Sequence, residues 1–329
     1  MGVVVRGLVA AGVSLVVSVA YLPAPSWADA DSGATTPPQR VVQGLVITQA
    51  PEPELEREPL ARAVEAQQSK RDAGRQSQLQ SQSPSQRRRT TRPELPTSMD
   101  VRMVQANILS RMGPSQFVAD LREATAGAPD FVTLNEAVRA PELMALPNYA
   151  FHRGTDSRWA METTVMWRTD RWQALSTGTR YLHQRGGTWG TRAVNWATLS
   201  SLETGKVVSV VSTHASPVGK GTPDLLPVYM GALSTLVREL SAQGPVFAGG
   251  DLNVDYGSGR FPRAGLQAGG LAPTYDTHGI PPGGTGDHGG HTIDYLLYQP
   301  GAGVTSTSQW KTELFSDHDA VAGDFQLDW

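Results

Sequence analysis

From residue 99 to the C-terminus, short apolar runs stop one after another in a carboxylate or an imidazole. The runs 101–107 (VRMVQAN), 130–136 (DFVTLNE), 163–168 (TTVMWR), 192–200 (RAVNWATLS), 206–213 (KVVSVVST), 245–249 (PVFAG) and 292–298 (TIDYLLY) have the β-branched and aromatic character of strands. Glu136, His214, Asp251, Asp294, Asp317 and His318 lie at or just beyond such runs. One ionisable strand end is ordinary. This many place a set of titratable groups where sheet edges and loops build sites. Helical spacing is confined to two stretches. Phe117, Leu121 and Ala124 mark the first, which Gly127 and Pro129 stop; Tyr229, Leu233, Leu236 and Leu240 mark the second, over about 227–242, which Gly244-Pro245 ends. Many strands with few helices predict an α+β sandwich rather than an alternating α/β fold.

The chain contains no cysteine, which excludes disulfides, thiolate zinc sites, iron–sulfur clusters and cysteine nucleophiles. Its 34 glycines and 23 prolines show no G-X-Y period, so they report turns and loops rather than collagen. Formal net charge over 329 residues is −3. From residue 99 onward, 17 Lys+Arg stand against 22 Asp+Glu, a net of −5, so no general polyanion-binding surface is implied.

Residues 1–30 read as a secretory signal, with Arg6, an apolar run from Gly7 to Leu22, and an A-x-A site at Ala28-Asp29-Ala30. The run falls short of the ~20 apolar residues an uncleaved anchor needs. Residues 31–98 read as a disordered linker. They contain the acidic stretch Glu52, Glu54, Glu56 and Glu58 and a Gln/Ser/Arg tract ending in Arg87-Arg88-Arg89, with too few large apolar residues to offset ordering entropy. The domain 99–329 is expected to be exported and to act as a monomer, without lasting membrane insertion after signal cleavage.

Carboxylates and histidines in this number suit phosphate-ester cleavage, which needs a hard cation held by oxygen ligands and groups that move protons. Glu136 is the best primary ligand, with Asn107 as a neutral oxygen donor beside it and Asp317 assisting; Mg²⁺, Mn²⁺ or Ca²⁺ would fit such a set. His318 and His214 are the candidate acid–base pair, because imidazoles titrate near neutrality. Asp251 and Asn253, two apart, project to one face if the strand continues, and Gly249-Gly250 would leave room for substrate.

At these residues the chain resembles the endonuclease/exonuclease/phosphatase superfamily, which shares the deoxyribonuclease I fold. Gln105-Ala106-Asn107, Leu134-Asn135-Glu136, Thr213-His214, Gly250-Asp251-Leu252-Asn253, Thr292-Ile293-Asp294-Tyr295 and Ser316-Asp317-His318 are similar to the family's motifs and occur in its order. Asn135 departs from the glutamine most relatives carry there. The resemblance implies a four-layer α/β/β/α sandwich of two mainly antiparallel sheets flanked by helices. It also implies a metal-dependent phosphoesterase acting through activated water. His318 would be the base, oriented by Asp294 or Asp317, and His214 the acid. Glu136 would hold the metal, Asp251 would align the nucleophile or a second ion, and Asn253 would donate to a phosphoryl oxygen. Glu162 loosely matches a glutamate paired to His214. Arg192 resembles an arginine near the scissile phosphate, though a solvated arginine fits as well.

The expected substrate is a phosphodiester, with nucleic acid ahead of a sphingomyelinase-like phospholipase C activity or a phosphomonoester; a non-catalytic binding module on the same fold is the contrasting reading. Polar, glycine-rich loops at 183–191 and 279–291 favour a water-soluble substrate. Trp189 could stack on a base, touch lipid or anchor its own loop. His288 and His291 form an HxxH that reads as a flexible rim more readily than as a zinc site.

Overall fold

Each of the seven runs read as strands is a strand. The computed structural model describes residues 96–139, 141–184, 190–219 and 223–329; the apolar leader, the linker and the loop carrying Trp189 lie outside them. In chain order the elements are β1 (Ser98–Asn107), α1 (Pro114–Ala124), β2 (Phe131–Asn135), β3 (Tyr149–His152), α2 (Arg158–Met161), β4 (Thr164–Arg168), β5 (Trp172–Gln184), β6 (Thr191–Ser201) and β7 (Val207–His214). There follow α3 (Leu226–Ser241), β8 (Val246–Asp251), α4 (Arg263–Ala268), β9 (Ala272–Pro273), α5 (Tyr275–His278), β10 (Asp294–Tyr298), β11 (Val304–Thr312) and β12 (Ala320–Asp328).

The strands form two six-stranded sheets, ordered β11-β12-β1-β2-β4-β3 and β5-β6-β7-β8-β10-β9. β1 runs parallel to β2 and β7 parallel to β8, while the other pairings are antiparallel. Each sheet thus holds one parallel pair at its centre. Every residue of β2, β8 and β10 is buried, as continuous apolar strands covered on both faces must be.

One cover is the opposite sheet. The Phe131 ring of β2 lies 5.8 Å from Phe247 of β8, which lies 5.2 Å from Phe325 of β12. The other cover is helical. α1 buries Phe117, Leu121 and Ala124 in a cluster with Val104, Val132 and Met166 of the first sheet. On the far side, α3 buries Tyr229, Leu233, Leu236 and Leu240 against the second. The layers run helix, sheet, sheet, helix, as predicted.

Gly249 and Gly250 serve this packing rather than substrate approach. Both are buried, and a Cβ at Gly249 would collide with the Thr133 hydroxyl of the facing sheet. At Gly250 it would collide with the Thr213 backbone of β7. The missing side chains let strands and sheets close up beneath the site.

Candidate active site

A parallel pair delivers two C-terminal ends to the same edge of a sheet, and this molecule does so in both sheets. In the second, His214, Asp251 and Asp294 sit in register across β7, β8 and β10. In the first, Asn107 stands opposite Asn135, with Glu136 one residue beyond. Side-chain bonds join the two edges. Asn135 Oδ1 accepts from Gln105 Nε2 at 2.9 Å and from the Asp251 backbone N–H of the other sheet at 2.7 Å. The Ser212 hydroxyl donates to the Leu134 carbonyl at 3.0 Å. The asparagine that departs from the family's glutamine is therefore a clasp between the sheets.

Two residues at this edge adopt left-handed backbone, Glu136 with φ 56° and Asn253 with φ 52°. Glutamate is uncommon in that region, where a β-carbon crowds the chain, and such strain concentrates at functional sites. The turn ends β2 and brings Glu136 Oε2 to the Ser110 backbone N–H at 3.0 Å.

At the centre, His318 Nδ1 lies 2.8 Å from Asp294 Oδ2. Asn107 Nδ2 reaches Asp251 Oδ2 at 3.2 Å and His318 Nε2 at 3.3 Å. Asp251 also accepts the Asn253 backbone N–H at 2.7 Å, and Asn253 Nδ2 donates to the Ala215 carbonyl at 3.0 Å. All of these side chains except Asn253 are buried. Burial pulls the His318 imidazole down, but the carboxylates of Asp294, Asp251 and Asp317 outweigh it and raise it to about 10. Burial, with Asp294 alongside, drives Asp251 well above the usual carboxylate range. The pair shares a proton-holding environment at the heart of the site.

The His318 segment is held from below. The Ser316 hydroxyl donates to the Asn107 carbonyl at 2.7 Å and accepts the backbone N–H groups of Leu109 and His318, each at 3.3 Å. Asp120 of α1, buried, accepts the backbone N–H groups of Phe315 and Ser316. Sequence reasoning missed Asp120. The available signal was a carboxylate inside the apolar stripe of Phe117, Leu121 and Ala124.

His214 lies on the other side of Asp251, its Nε2 3.6 Å from Asp251 Oδ2 and its Nδ1 3.8 Å from Glu162 Oε2. The Tyr229 hydroxyl accepts its backbone N–H at 2.9 Å. Arg192 Nη1 ion-pairs with Glu162 Oε2 at 2.5 Å, with the guanidinium over the Trp159 ring. Arg192 is fully buried, so the solvated alternative is excluded, and Glu162 Oε2 faces both it and His214. Burial first, then the Arg192 and His318 charges, hold His214 far below the ordinary imidazole range. A neutral His214 is a hydrogen-bond partner for a phosphoryl or leaving oxygen before it is a proton source.

Hard-cation chemistry fits the donor set. The Oδ1 atoms of Asn107, Asp317 and Asp294 are buried yet make no hydrogen bond. Buried oxygens of this kind ordinarily have a partner. Asp317, partly exposed, faces Arg111 at 3.8 Å. Among the described residues, one trio of ligand-type side chains gathers closely, Asp251, Asp294 and His318, with atoms within 4.8 Å of one another. The 2.8 Å hydrogen bond within it already occupies His318 Nδ1 and Asp294 Oδ2, whereas the unbonded oxygens of Asn107 and Asp317 lie among the predicted metal donors.

His288 and His291 part company. His288 packs on His318 with ring centroids 4.3 Å apart, and exposed His291 faces Asp255 at 3.7 Å. Their loop is tied down rather than loose: Gly286 bridges to His318, and the Asp287 N–H donates to the Asp317 carbonyl at 2.9 Å.

The same fold recurs in solved structures at low identity. An endonuclease/exonuclease/phosphatase family protein from Bacteroides thetaiotaomicron aligns at TM-score 0.58 and 16% identity, over 71% of this chain and 97% of that one. A mannosyl-6-phosphatase from B. thetaiotaomicron VPI-5482 aligns at TM-score 0.56 and 15% identity, over 68% and 99%. The human Nocturnin catalytic domain with bound sulfate aligns at TM-score 0.55 and 17% identity, over 69% and 94%. No curated protein matches the chain. The model of the Endonuclease/Exonuclease/phosphatase family matches residues 104–318, more than half of the chain, from within β1 to His318. By that match the chain belongs to the endonuclease/exonuclease/phosphatase family, whose members are phosphoesterases.

Proposed function

We propose that this protein is an exported, divalent-cation-dependent phosphodiesterase that hydrolyses nucleic acid by direct attack of water. The buried His318–Asp294 pair, facing Asp251 and Asn107 across the joint between the sheets, carries the reading. With Nδ1–H donated to Asp294, His318 Nε2 would take a proton from the attacking water only in its unprotonated form, so hydrolysis should rise with pH toward about 10. Asp251 and Asn107 border that nitrogen and set where the water sits. Asn253 would orient a phosphoryl oxygen, and neutral His214 would hydrogen-bond the departing oxygen, braced by Glu162 and Arg192.

Glu136, Asn107 and Asp317 would hold Mg²⁺, with Mn²⁺ or Ca²⁺ as substitutes. Bound there, the cation supplies charge neutralisation for the phosphoryl oxygens and favours an ionised nucleophile. The apolar run ending at Ala28-Asp29-Ala30 supports export. No helix among the described residues is long and apolar enough to cross a membrane. Nucleic acid is preferred over lipid because the described parts of loops 183–191 and 279–291 offer one exposed large apolar side chain, Ile280, to which the His318 segment adds Phe315.

A panel of duplex DNA, single-stranded DNA, RNA, sphingomyelin and a chromogenic monoester, each with and without Mg²⁺, tests the proposal. Metal-dependent cutting of DNA or RNA that weakens as salt rises is the expected result. Hydrolysis of sphingomyelin or the monoester alone overturns the substrate assignment, and binding without turnover overturns catalysis.

A further inference from the structure

We propose that His288 is a positioning residue whose ring packs against the catalytic imidazole of His318 and holds it in place. The inference rests on the proposed role of His318, and its supports are geometric. The two rings lie with centroids 4.3 Å apart and planes tilted by 59°. The loop that carries His288 is stitched to the His318 segment. Gly286 and His318 form an antiparallel bridge, the Asp287 N–H donates to the Asp317 carbonyl at 2.9 Å, and the Asp319 N–H donates to the Thr285 carbonyl at 3.2 Å.

The same loop is tied to the start of β10. Thr285 Oγ1 accepts the backbone N–H groups of Ile293 and Asp294, so the segment bearing His288 also fixes the residue that orients His318. His288 Nε2 is buried and makes no hydrogen bond, although the residue as a whole is partly exposed. That nitrogen faces the protein rather than solvent. What the side chain offers its neighbour is the ring.

His318 is held at its edges by Asp294 on Nδ1 and Asn107 on Nε2. Bonds at two ring nitrogens leave the imidazole free to tilt about the line joining them. A ring packed against it restricts that tilt, and small misplacements of a catalytic group can cost about 10²-fold in rate. The HxxH of the sequence is thereby divided, with His288 serving His318 and His291 lying at the surface.

The test compares His288→Ala, His288→Phe and His288→Asn in the full-length protein. His288→Ala should lower kcat by about 10- to 100-fold while KM stays within about threefold. His288→Phe, which keeps a ring, should restore most of kcat, and His288→Asn, which keeps only a polar group, should not. The His318 Nδ1–H proton resonance should stay sharp in wild type and His288→Phe and broaden in His288→Ala, in the absence of any substrate. Rescue by Asn but not Phe would assign His288 to substrate contact and overturn the proposal. Unchanged kcat and an unchanged resonance in His288→Ala would overturn it as well. Because the resonance needs no turnover, it decides the role of His288 even if every substrate in the panel fails.

Discussion

The carboxylate of Asp120, in the first helix, accepts the backbone N–H groups of Phe315 and Ser316 at 2.7 and 3.0 Å, across 195 and 196 residues of chain. Burial raises this carboxyl, and the two N–H donors pull it back toward its ionised form. The bonds fix the approach to Asp317 and His318, so Asp120→Asn, which sets an amide against a backbone donor, should act at a distance. We expect a stability loss of about 1–3 kcal/mol in denaturant unfolding and a fall in kcat of about tenfold or more at nearly constant KM. A variant that is less stable but turns over normally would confine Asp120 to folding.

Chelation should abolish hydrolysis, and Mg²⁺ or Mn²⁺ should restore it. Glu136 adds a second observable, because its φ of 56° is strained for any residue with a β-carbon. Glu136→Gly should weaken cation binding strongly yet leave the metal-free protein as stable as its parent, or more stable by about 1 kcal/mol. Thermal melts in EDTA together with a metal titration separate the two effects. An unaltered metal titration would remove Glu136 from the site.

His318→Ala should lower kcat by roughly 10²–10⁴-fold, the usual worth of a positioned proton-transfer group, and His214→Ala by roughly 10²–10³-fold, the worth of a lost hydrogen bond to developing charge. Circular dichroism should show the fold intact in both. Losses below about tenfold at both positions would exclude them from the mechanism.

The pH dependence of metal-free stability carries two signatures of the same sign in different windows. His318 is raised from 6.5 to about 10, so its contribution to stability is complete below about pH 6.5 and fades as pH climbs through about 10. The melting advantage of wild type over His318→Asn should shrink over that window. Asp251 is also raised, and for a carboxyl the favourable contribution lies below the ordinary value of 3.8 and is lost as pH rises through the shifted one. Its ionised form therefore opposes folding at neutrality, and Asp251→Asn should melt above wild type near pH 8 in EDTA while losing activity. A lower melting temperature for Asp251→Asn across the whole range would contradict this assignment.

The interior strands were legible because burial on both faces makes their sequences continuously apolar, as in β2, β8 and β10. The strands that sequence reading passed over lie mostly at sheet edges. β5 (WQALSTGTRYLHQ) is exposed through its first half, and β11 (VTSTSQWKT) alternates with solvent at its start. With β3 and β9 they occupy the outermost positions of the sheets, where one flank has no partner and the apolar signal thins. β12 is interior, but Gly323, Asp324 and Gln326 interrupt its pattern. His214, Asp251 and Glu136 were visible for the same reason as the interior strands, since each terminates an apolar run, whereas Asp294 opens β10 and Asp317 and His318 precede β12. Asp120, Asn135 and His288 were not visible, because what each does depends on a distant partner: the 315–316 backbone, the Asp251 N–H and the His318 ring. Arg192 showed its residue type but not its burial, which comes from the pairing with Glu162 30 residues away.

The clasp at Asn135 makes the cleft a seam between two half-sandwiches. Asn107 and Glu136 belong to one half, while His214, Asp251 and Asp294 belong to the other. Neither half carries enough chemistry to turn over a substrate by itself. A ligand that engages both acts as a rivet, and its binding free energy is then also cohesion between the sheets. The gauge of the seam is set well below it, where Phe131 meets Phe247 and Thr133 meets the bare backbone of Gly249. In such an arrangement the distance between reacting groups is a property of the core. Drift in core residues would tune turnover even when no residue at the site itself changes.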